Sequence, residues 1–229
     1  SRPEPLGRFL GRVRCDFLYL VGDIIDGWKV SRLRHLSDPH RDILRRLGAL
    51  ARESEVTFIT GNHDEFLDRF LGLRKARMLF RDRAFHRTAD GRCFLVSHGD
   101  EFDRVIRRFR FLNALAGRAY ELTLQLNAAL PLAGRHRRSI AGLLKRKFKN
   151  LACALSGFEG RVVAEAKGAG LDGVICGHLH NPSIRKVREV LLCNCGDWVE
   201  HCSALVEHPD GRLEVLSLDD TGGLNPGRP

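Results

Sequence analysis

Short apolar runs recur along the chain, and each is closed by glycine and a polar side chain. Residues 17–21 (FLYLV) and 56–59 (VTFI) are runs of this kind. Runs of this length, rich in β-branched and aromatic residues, are typical of buried strands. The same pattern predicts strands at 84–88, 93–97, 173–176, 184–187, 190–193, 203–207 and 212–216.

Other stretches repeat apolar residues every three or four positions, which is the period of a helix with one buried face. This spacing predicts helices over 39–53 and 159–167 and a shorter helix over 66–73. The Asp-Gly pairs within 89–92 and 209–211 predict hairpin turns between strands.

The order of these elements predicts one α/β domain over residues 1–220, a length that supports a single sizeable core. Residues 103–167 form an insertion within this domain, since they follow a helical pattern between two strand-end motifs and carry most of the positive charge. Residues 221–229 are rich in Gly and Pro, and we predict that they form a disordered tail.

The charge of the chain is concentrated in that insertion. The net charge is +10, and segment 104–149 holds twelve Lys and Arg against one acid, Glu121. A basic region this focused attracts an anionic partner, namely nucleic acid, anionic lipid head groups or a phosphorylated substrate. The alternative is a solvated helix face that only aids solubility. No apolar run approaches the roughly 18–20 residues of a membrane span, so we expect no transmembrane segment.

The cysteines indicate a reducing compartment. The chain has seven of them, an odd number, and several lie in apolar runs. This usage favours buried thiols of a cytosolic protein over a disulfide framework. Cys193 and Cys195 lack the spacing of a zinc knuckle, so we interpret them as structural.

Four predicted strands end in glycine next to Asp, Asn or His. The carboxyl edge of an open α/β sheet is where such folds bind ligands, so we expect these side chains to converge. Imidazole, carboxylate and amide donors together suit Mn²⁺, Fe or Zn²⁺. Two such ions about 3.5–4 Å apart can activate a hydroxide for phosphoryl transfer. The four strand ends are Gly22-Asp23, Gly61-Asn62-His63-Asp64, His98-Gly99-Asp100 and Gly177-His178-Leu179-His180.

This arrangement resembles the calcineurin-like metallophosphoesterases, and within them the UDP-2,3-diacylglucosamine pyrophosphatase group of lipid A biosynthesis. The likeness covers about residues 9–217 and rests on segments 22–28, 61–66, 98–103 and 196–200. It implies two β-sheets flanked by helices, with 103–167 as a basic helical cap. Pyrophosphatases proven to act on this lipid often carry Arg at the position of His63, and the His63 form also resembles a related branch.

The resemblance also implies roles for the strand-end residues. His63 corresponds to the catalytic histidine, which stabilises the transferring phosphoryl group or protonates the leaving oxygen, and Asp64 orients it. The implied cofactors are two divalent metal ions, with Mn²⁺ favoured and Fe or Zn²⁺ as alternatives. The implied ligands are Asp23 as the bridging carboxylate, Asn62, His98 and His178 on one ion, and His180 on the other.

The resemblance extends to the cap and the partners. Lys147 and Asn150 fall where the family contacts the substrate head group. The implied partners are a nucleotide-linked glycolipid and an anionic membrane surface, and the implied location is cytoplasmic, at the periphery of the inner membrane. The sequence leaves the oligomeric state open.

One departure from the family pattern changes the expectation for this chain. The family has an Asp-x-His motif at the end of its first strand, and no such motif precedes Asp23. We therefore expect that the chain lacks its true N-terminus. As given, its second metal site would keep only Asp23 and His180, and its activity would be low. The alternative is a protein that has truly lost half of its metal site.

Three functions remain open at the level of sequence. The favoured one is a two-metal hydrolase of a nucleotide-linked lipid pyrophosphate. A phosphodiesterase or nuclease is disfavoured, because Phe109, Phe111 and Tyr120 are spaced like core residues rather than base-stacking platforms. A metal-poor binding module is supported only by the missing Asp-x-His, and the His63–Asp64 pair argues against it.

Overall fold

A computed structural model describes residues 2–24, 38–63, 70–75, 77–102, 157–219 and 223–226. The helices in these ranges are α1 (Pro3–Leu10), α2 (Asp38–Glu53) and α3 (Phe158–Gly168), with a 3₁₀ turn at Asp100–Phe102. The strands are β1 (Phe17–Val21), β2 (Glu55–Ile59), β3 (Arg74–Lys75), β4 (Met78–Arg81), β5 (Arg83–Arg87), β6 (Cys93–Ser97), β7 (Gly173–Cys176), β8 (Ser183–Val187), β9 (Val190–Asn194), β10 (Ser203–Glu207), β11 (Leu213–Leu218) and β12 (Leu224–Pro226).

The first sheet has the order β1-β2-β4-β3, and β1, β2 and β4 are parallel. Its strands alternate their side chains between two faces, as the pleat requires. Leu20 and Phe58 point to one face, where they pack with Leu6 and Phe9 of α1 and with Leu47 of α2. Two amphipathic helices therefore cover one side of this sheet.

The second sheet has the order β5-β6-β7-β9-β8, and a third sheet has the order β10-β11-β12. Tyr19 and Val21 of the first sheet pack with Phe94, Ile175 and Cys193 of the second. Because β6, β7 and β9 are neighbours and parallel, their carboxyl ends lie at one edge of the second sheet. Two of the four predicted motifs, 98–100 and 177–180, follow the ends of β6 and β7.

The α/β class predicted from the sequence is confirmed, and so is the hairpin between β5 and β6. Two differences stand out. The structure adds β3 and β4 where the sequence pattern predicted no strand. The tail predicted to be disordered is wrong at Leu224–Pro226, because these residues form β12 and pair with β11.

The chain divides into two compact units, one made of residues 1–99 with 162–229 and the other of residues 100–161. Residues 103–156, most of the predicted cap, lie outside the described residues, as does the first half, 66–69, of the short helix predicted at 66–73. In the described part of the chain, no helix is long and apolar enough to cross a membrane.

Candidate metal centre

The first strand-end turn places Asp23 directly beyond β1. Gly22 and Asp23 both have left-handed backbones, with φ of 68° and 53°. That conformation suits glycine and costs energy for a residue with a side chain. The N–H of Gly22 donates to the carbonyl of Ile59 at 2.9 Å, which ties the turn to the end of β2.

Asp23 is the electrostatic centre of the described site. Its Oδ2 lies 3.4 Å from Nε2 of His98, and its Oδ1 accepts the backbone N–H of His63 at 3.0 Å. Burial acts to raise the pKa of Asp23, but the bond and charge of His98 and the contact with His63 outweigh it and hold the pKa at about 2. The carboxylate is therefore ionised at any physiological pH.

His98 is oriented by the backbone of β1. Its Nδ1 donates to the carbonyl of Val21 at 3.3 Å, so Nε2 is the nitrogen that faces Asp23. A ring nitrogen fixed on a carbonyl is the usual support for a histidine that binds metal through its other nitrogen. His178 meets His98 edge-on, with ring centroids 5.2 Å apart, and both residues are buried.

The turn after β7 is bonded to the turn after β6. The N–H groups of Gly177 and His178 both donate to the carbonyl of His98, at 3.1 and 3.0 Å. His180 follows in the same turn with φ of 51°, and its N–H donates to Gly177 at 3.0 Å. The predicted ligands on these two strands therefore share one edge of the sheet.

The turn after β2 supplies an amide oxygen. Asn62 lies between Gly61 and His63, whose N–H holds Asp23. Oδ1 of Asn62 is buried and has no hydrogen-bond partner among the described residues. A buried amide oxygen without a partner costs free energy, and a cation would satisfy it.

Convergence of all four donors on one ion is not seen directly. Among the described residues, no three His, Cys, Asp or Glu side chains lie close enough together to form a metal-binding group as they stand. The donors meet in pairs, Asp23 with His98 and His98 with His178. The full ligand set, including His180, stays a prediction.

Several predicted site residues lie outside the described residues. They are Asp64, Lys147 and Asn150, together with the basic segment 104–149. Their roles in orienting His63 and in binding substrate stay predictions.

The described cysteines are all free thiols. Burial raises the pKa of both Cys193 and Cys195 to about 12. Cys193 is buried and Cys195 is partly buried, which is consistent with the structural interpretation of this pair.

Sequence reasoning gave no role to one further strand end. The turn after β9 carries Asp197, whose Oδ2 lies 2.6 Å from Nδ1 of His201. The signal that could have found this pair is an Asp and a His four positions apart directly after a buried strand.

The family model of the calcineurin-like phosphoesterases matches residues 3–182, so the chain belongs to this family. Among solved structures, it is similar to a single mutant of Vps29 from Entamoeba histolytica, with 12% identity and a TM-score of 0.45 over 97% of this chain and 86% of that one. It is also similar to a conserved uncharacterized protein, described as a predicted phosphoesterase, from Streptococcus pneumoniae, with 15% identity and a TM-score of 0.39 over 99% and 87%. A third similar structure is an archaeal phosphodiesterase, with 13% identity and a TM-score of 0.35 over 76% of each chain. No curated protein matches the chain.

Membership of this family implies a divalent metal ion, and the residues present fit one. The fit rests on the donor chemistry of Asp23, His98 and His178 and on the buried amide oxygen of Asn62. Carboxylate, imidazole and amide donors together suit Mn²⁺, Fe or Zn²⁺ rather than a structural thiolate site.

Proposed function

We propose that this metal-dependent phosphoesterase hydrolyses the pyrophosphate bond of UDP-2,3-diacylglucosamine or a similar nucleotide-linked lipid. The observation that supports the reaction is the contact between Asp23 and His98 at the strand ends of a calcineurin-like phosphoesterase. The substrate class is supported by the resemblance of segments 22–28, 61–66 and 196–200 and by the basic segment 104–149.

The residues of the chain have separate tasks in this reaction. Asp23 is the permanent anion that would hold the cation, since its pKa is about 2. His98 keeps its proton on Nδ1 for the carbonyl of Val21 and would offer Nε2 to the metal. When bound, the metal supplies Lewis acidity and an activated hydroxide.

His63 is the residue that would act on the transferring group. Its backbone N–H donates a hydrogen bond to Asp23. This bond fixes the position of the His63 backbone, from which the side chain extends, next to the metal ligands. We assign it either to stabilising the charge on the phosphoryl group or to protonating the leaving oxygen. Both tasks belong to a side chain at the edge of the metal site rather than to a ligand.

The test is a comparison of substrates with Mn²⁺ present. The protein is assayed on UDP-2,3-diacylglucosamine, on bis(4-nitrophenyl) phosphate and on single-stranded DNA, with Asp23→Asn as the inactive variant and His208→Ala as the control. We expect UMP and a diacylglucosamine 1-phosphate as products. Hydrolysis of the model diester without hydrolysis of the lipid would overturn the substrate, and preferential cleavage of DNA would favour a nuclease.

A further inference from the structure

The turn after β9 holds a second pair of a carboxylate and an imidazole. Nδ1 of His201 donates to Oδ2 of Asp197 at 2.6 Å. The side chain of Asp197 is 4% exposed, whereas that of His201 is 31% exposed. The buried carboxylate of Asp197 therefore holds one ring nitrogen of His201, while the rest of the imidazole is partly exposed to solvent.

The backbone determines which oxygen of Asp197 the ring can use. Oδ1 accepts the N–H groups of Val199, Glu200 and His201, at 2.7, 2.5 and 3.3 Å. Burial acts to raise the pKa of Asp197, but the bonds from His201 and from the backbone lower it below the usual value. With Nδ1 committed to this carboxylate, Nε2 is the atom of His201 that can exchange a proton with a ligand.

The turn that carries the pair is fixed on both sides. The N–H of Gly196 donates to Oδ1 of Asn194 at 2.8 Å, and the N–H of Ser203 donates to the carbonyl of Asp197 at 3.0 Å. Oγ of Ser203 donates to the carbonyl of Cys195 at 3.0 Å. The orientation of the imidazole is therefore set before any ligand arrives, which is what proton transfer requires.

The pair lies at the same sheet edge as the candidate metal centre. β6, β7 and β9 are parallel neighbours, and His98, His178 and Asp197 follow their respective carboxyl ends. The N–H of Cys195 donates to the carbonyl of Cys176 at 2.9 Å, which keeps the two turns side by side beyond the strands.

We propose that His201, held by Asp197, donates the proton to the leaving oxygen during hydrolysis at this edge. The inference rests on the proposed function as a phosphoesterase. Water adds its oxygen to phosphorus and releases a proton, while the P–O bond to the leaving group, an anhydride bond in the pyrophosphate and an ester bond in a diester, breaks with its electron pair on the leaving oxygen. That oxygen takes the proton from Nε2 of His201, and the proton released by water restores the imidazolium. His63 is then left with the task of stabilising the phosphoryl group.

A second histidine provides a matched control. His208 also bonds a carboxylate, Glu214, at 2.7 Å, and its side chain is 31% exposed like that of His201. It differs in lying in the turn between β10 and β11 and in using Nε2 for the carboxylate, so it has no free Nε2 to offer.

The experiment compares two diesters that differ in their need for a proton. Diphenyl phosphate releases phenolate, which needs protonation, whereas bis(4-nitrophenyl) phosphate releases the much weaker base 4-nitrophenolate. We expect His201→Ala to lower the ratio of the two rates, diphenyl over nitrophenyl, by roughly 10-fold or more, since general acids contribute about 10²–10⁴-fold. His208→Ala should leave the ratio unchanged. Should His201→Ala fail to fold, His201→Gln keeps a polar group for Asp197 and cannot transfer the proton.

The outcomes separate this assignment from the proposed function. A wild-type protein inactive on the lipid pyrophosphate and on both diesters would overturn the proposed function and this assignment with it. If only the lipid is cleaved, a turnover of His201→Ala on the lipid equal to that of His208→Ala would overturn the role of His201. An active wild type whose rate ratio is unchanged by His201→Ala and His201→Gln, or lowered equally by His208→Ala, would overturn only the role of His201. Ring nitrogen shifts of His201 that report a proton on Nε2 and none on Nδ1 would also overturn it.

Discussion

A side-chain carbon added at Gly61 would lie 2.5 Å from Oδ1 of Asp23 and 2.8 Å from its backbone nitrogen. The turns after β1 and β2 therefore touch with no room for a side chain between them. Since Oδ1 also accepts the N–H of His63, the carboxylate that carries the charge of the site is positioned by β2 as much as by its own strand.

Gly61→Ala should weaken metal binding. The methyl group would force Asp23 away from His63 and His98, and displacing a positioned ligand shell costs roughly 10–100-fold in affinity. Isothermal titration with Mn²⁺ measures the change. The control is Gly48→Ala, because a side-chain carbon at Gly48 meets no atom within 4 Å and alanine favours the helix. Equal Mn²⁺ affinity in both variants would contradict the role of Gly61.

Asp23 should make stability depend on pH in the acid range. Its pKa falls from 3.8 to about 2 on folding, so its contribution is present above pH 4 and is lost as the pH falls through about 2. By that shift the contribution is roughly 2 kcal/mol. Urea unfolding of the wild type and of Asp23→Asn should show a difference in unfolding free energy that shrinks between pH 5 and pH 2. A difference that stays constant over this range would refute the lowered pKa.

His63→Ala should separate binding from turnover. The variant keeps the backbone N–H that bonds Asp23, so Mn²⁺ affinity should hold, whereas kcat on a phosphodiester should fall by about 10²–10³-fold, the usual effect of removing one group that stabilises the transition-state charge. Paired titration and rate measurements check this, with His208→Ala as control. Near wild-type turnover would remove His63 from the reaction, and a loss of Mn²⁺ affinity would make it a ligand instead.

The strand ends that carry the candidate ligands could be predicted from the sequence, because each candidate directly follows a buried strand. Apolar runs such as 17–21 and 173–176 are recognisable, and the motif after each needs no long-range knowledge. The supports of those motifs are long-range. The hydrogen bond from His98 to Val21 joins residues 77 positions apart in the sequence, and the space beside Gly61 is occupied by Asp23. Neither contact can be recognised from the sequence pattern around the residues involved.

The strands that the sequence did not predict are short and depend on their partners. β4 is only four residues long, and its parallel pairing with β2 stabilises it as a strand. β12 contains a proline and, among the strands that the structure describes, pairs with β11 alone, a position at which proline is tolerated. Gly and Pro content alone therefore misassigned residues 224–226 as disordered.

The basic segment 104–149 should direct the protein to anionic surfaces. Its twelve basic residues against one acid would be attracted to acidic lipids, and attraction between surface charges is screened beyond about 8–10 Å at physiological salt. Cosedimentation with vesicles of phosphatidylglycerol should show binding that weakens as salt rises, and vesicles of phosphatidylcholine alone serve as the control. Binding that ignores salt, or none, would count against a cap that faces lipid.

The central claim is that the strand-end residues around Asp23 hold the divalent ion, and paramagnetic broadening by Mn²⁺ tests it most directly. Nuclear magnetic resonance spectra of the histidine rings are recorded as Mn²⁺ is added at substoichiometric amounts. We expect the signals of His98 and His178 to disappear first, while that of His86, which lies on β5 opposite Phe94, and that of His208 persist. Asp23→Asn should abolish the selective loss. Signals of His98 and His178 that survive Mn²⁺, or that vanish no sooner than those of His86 and His208, would contradict the metal centre described above.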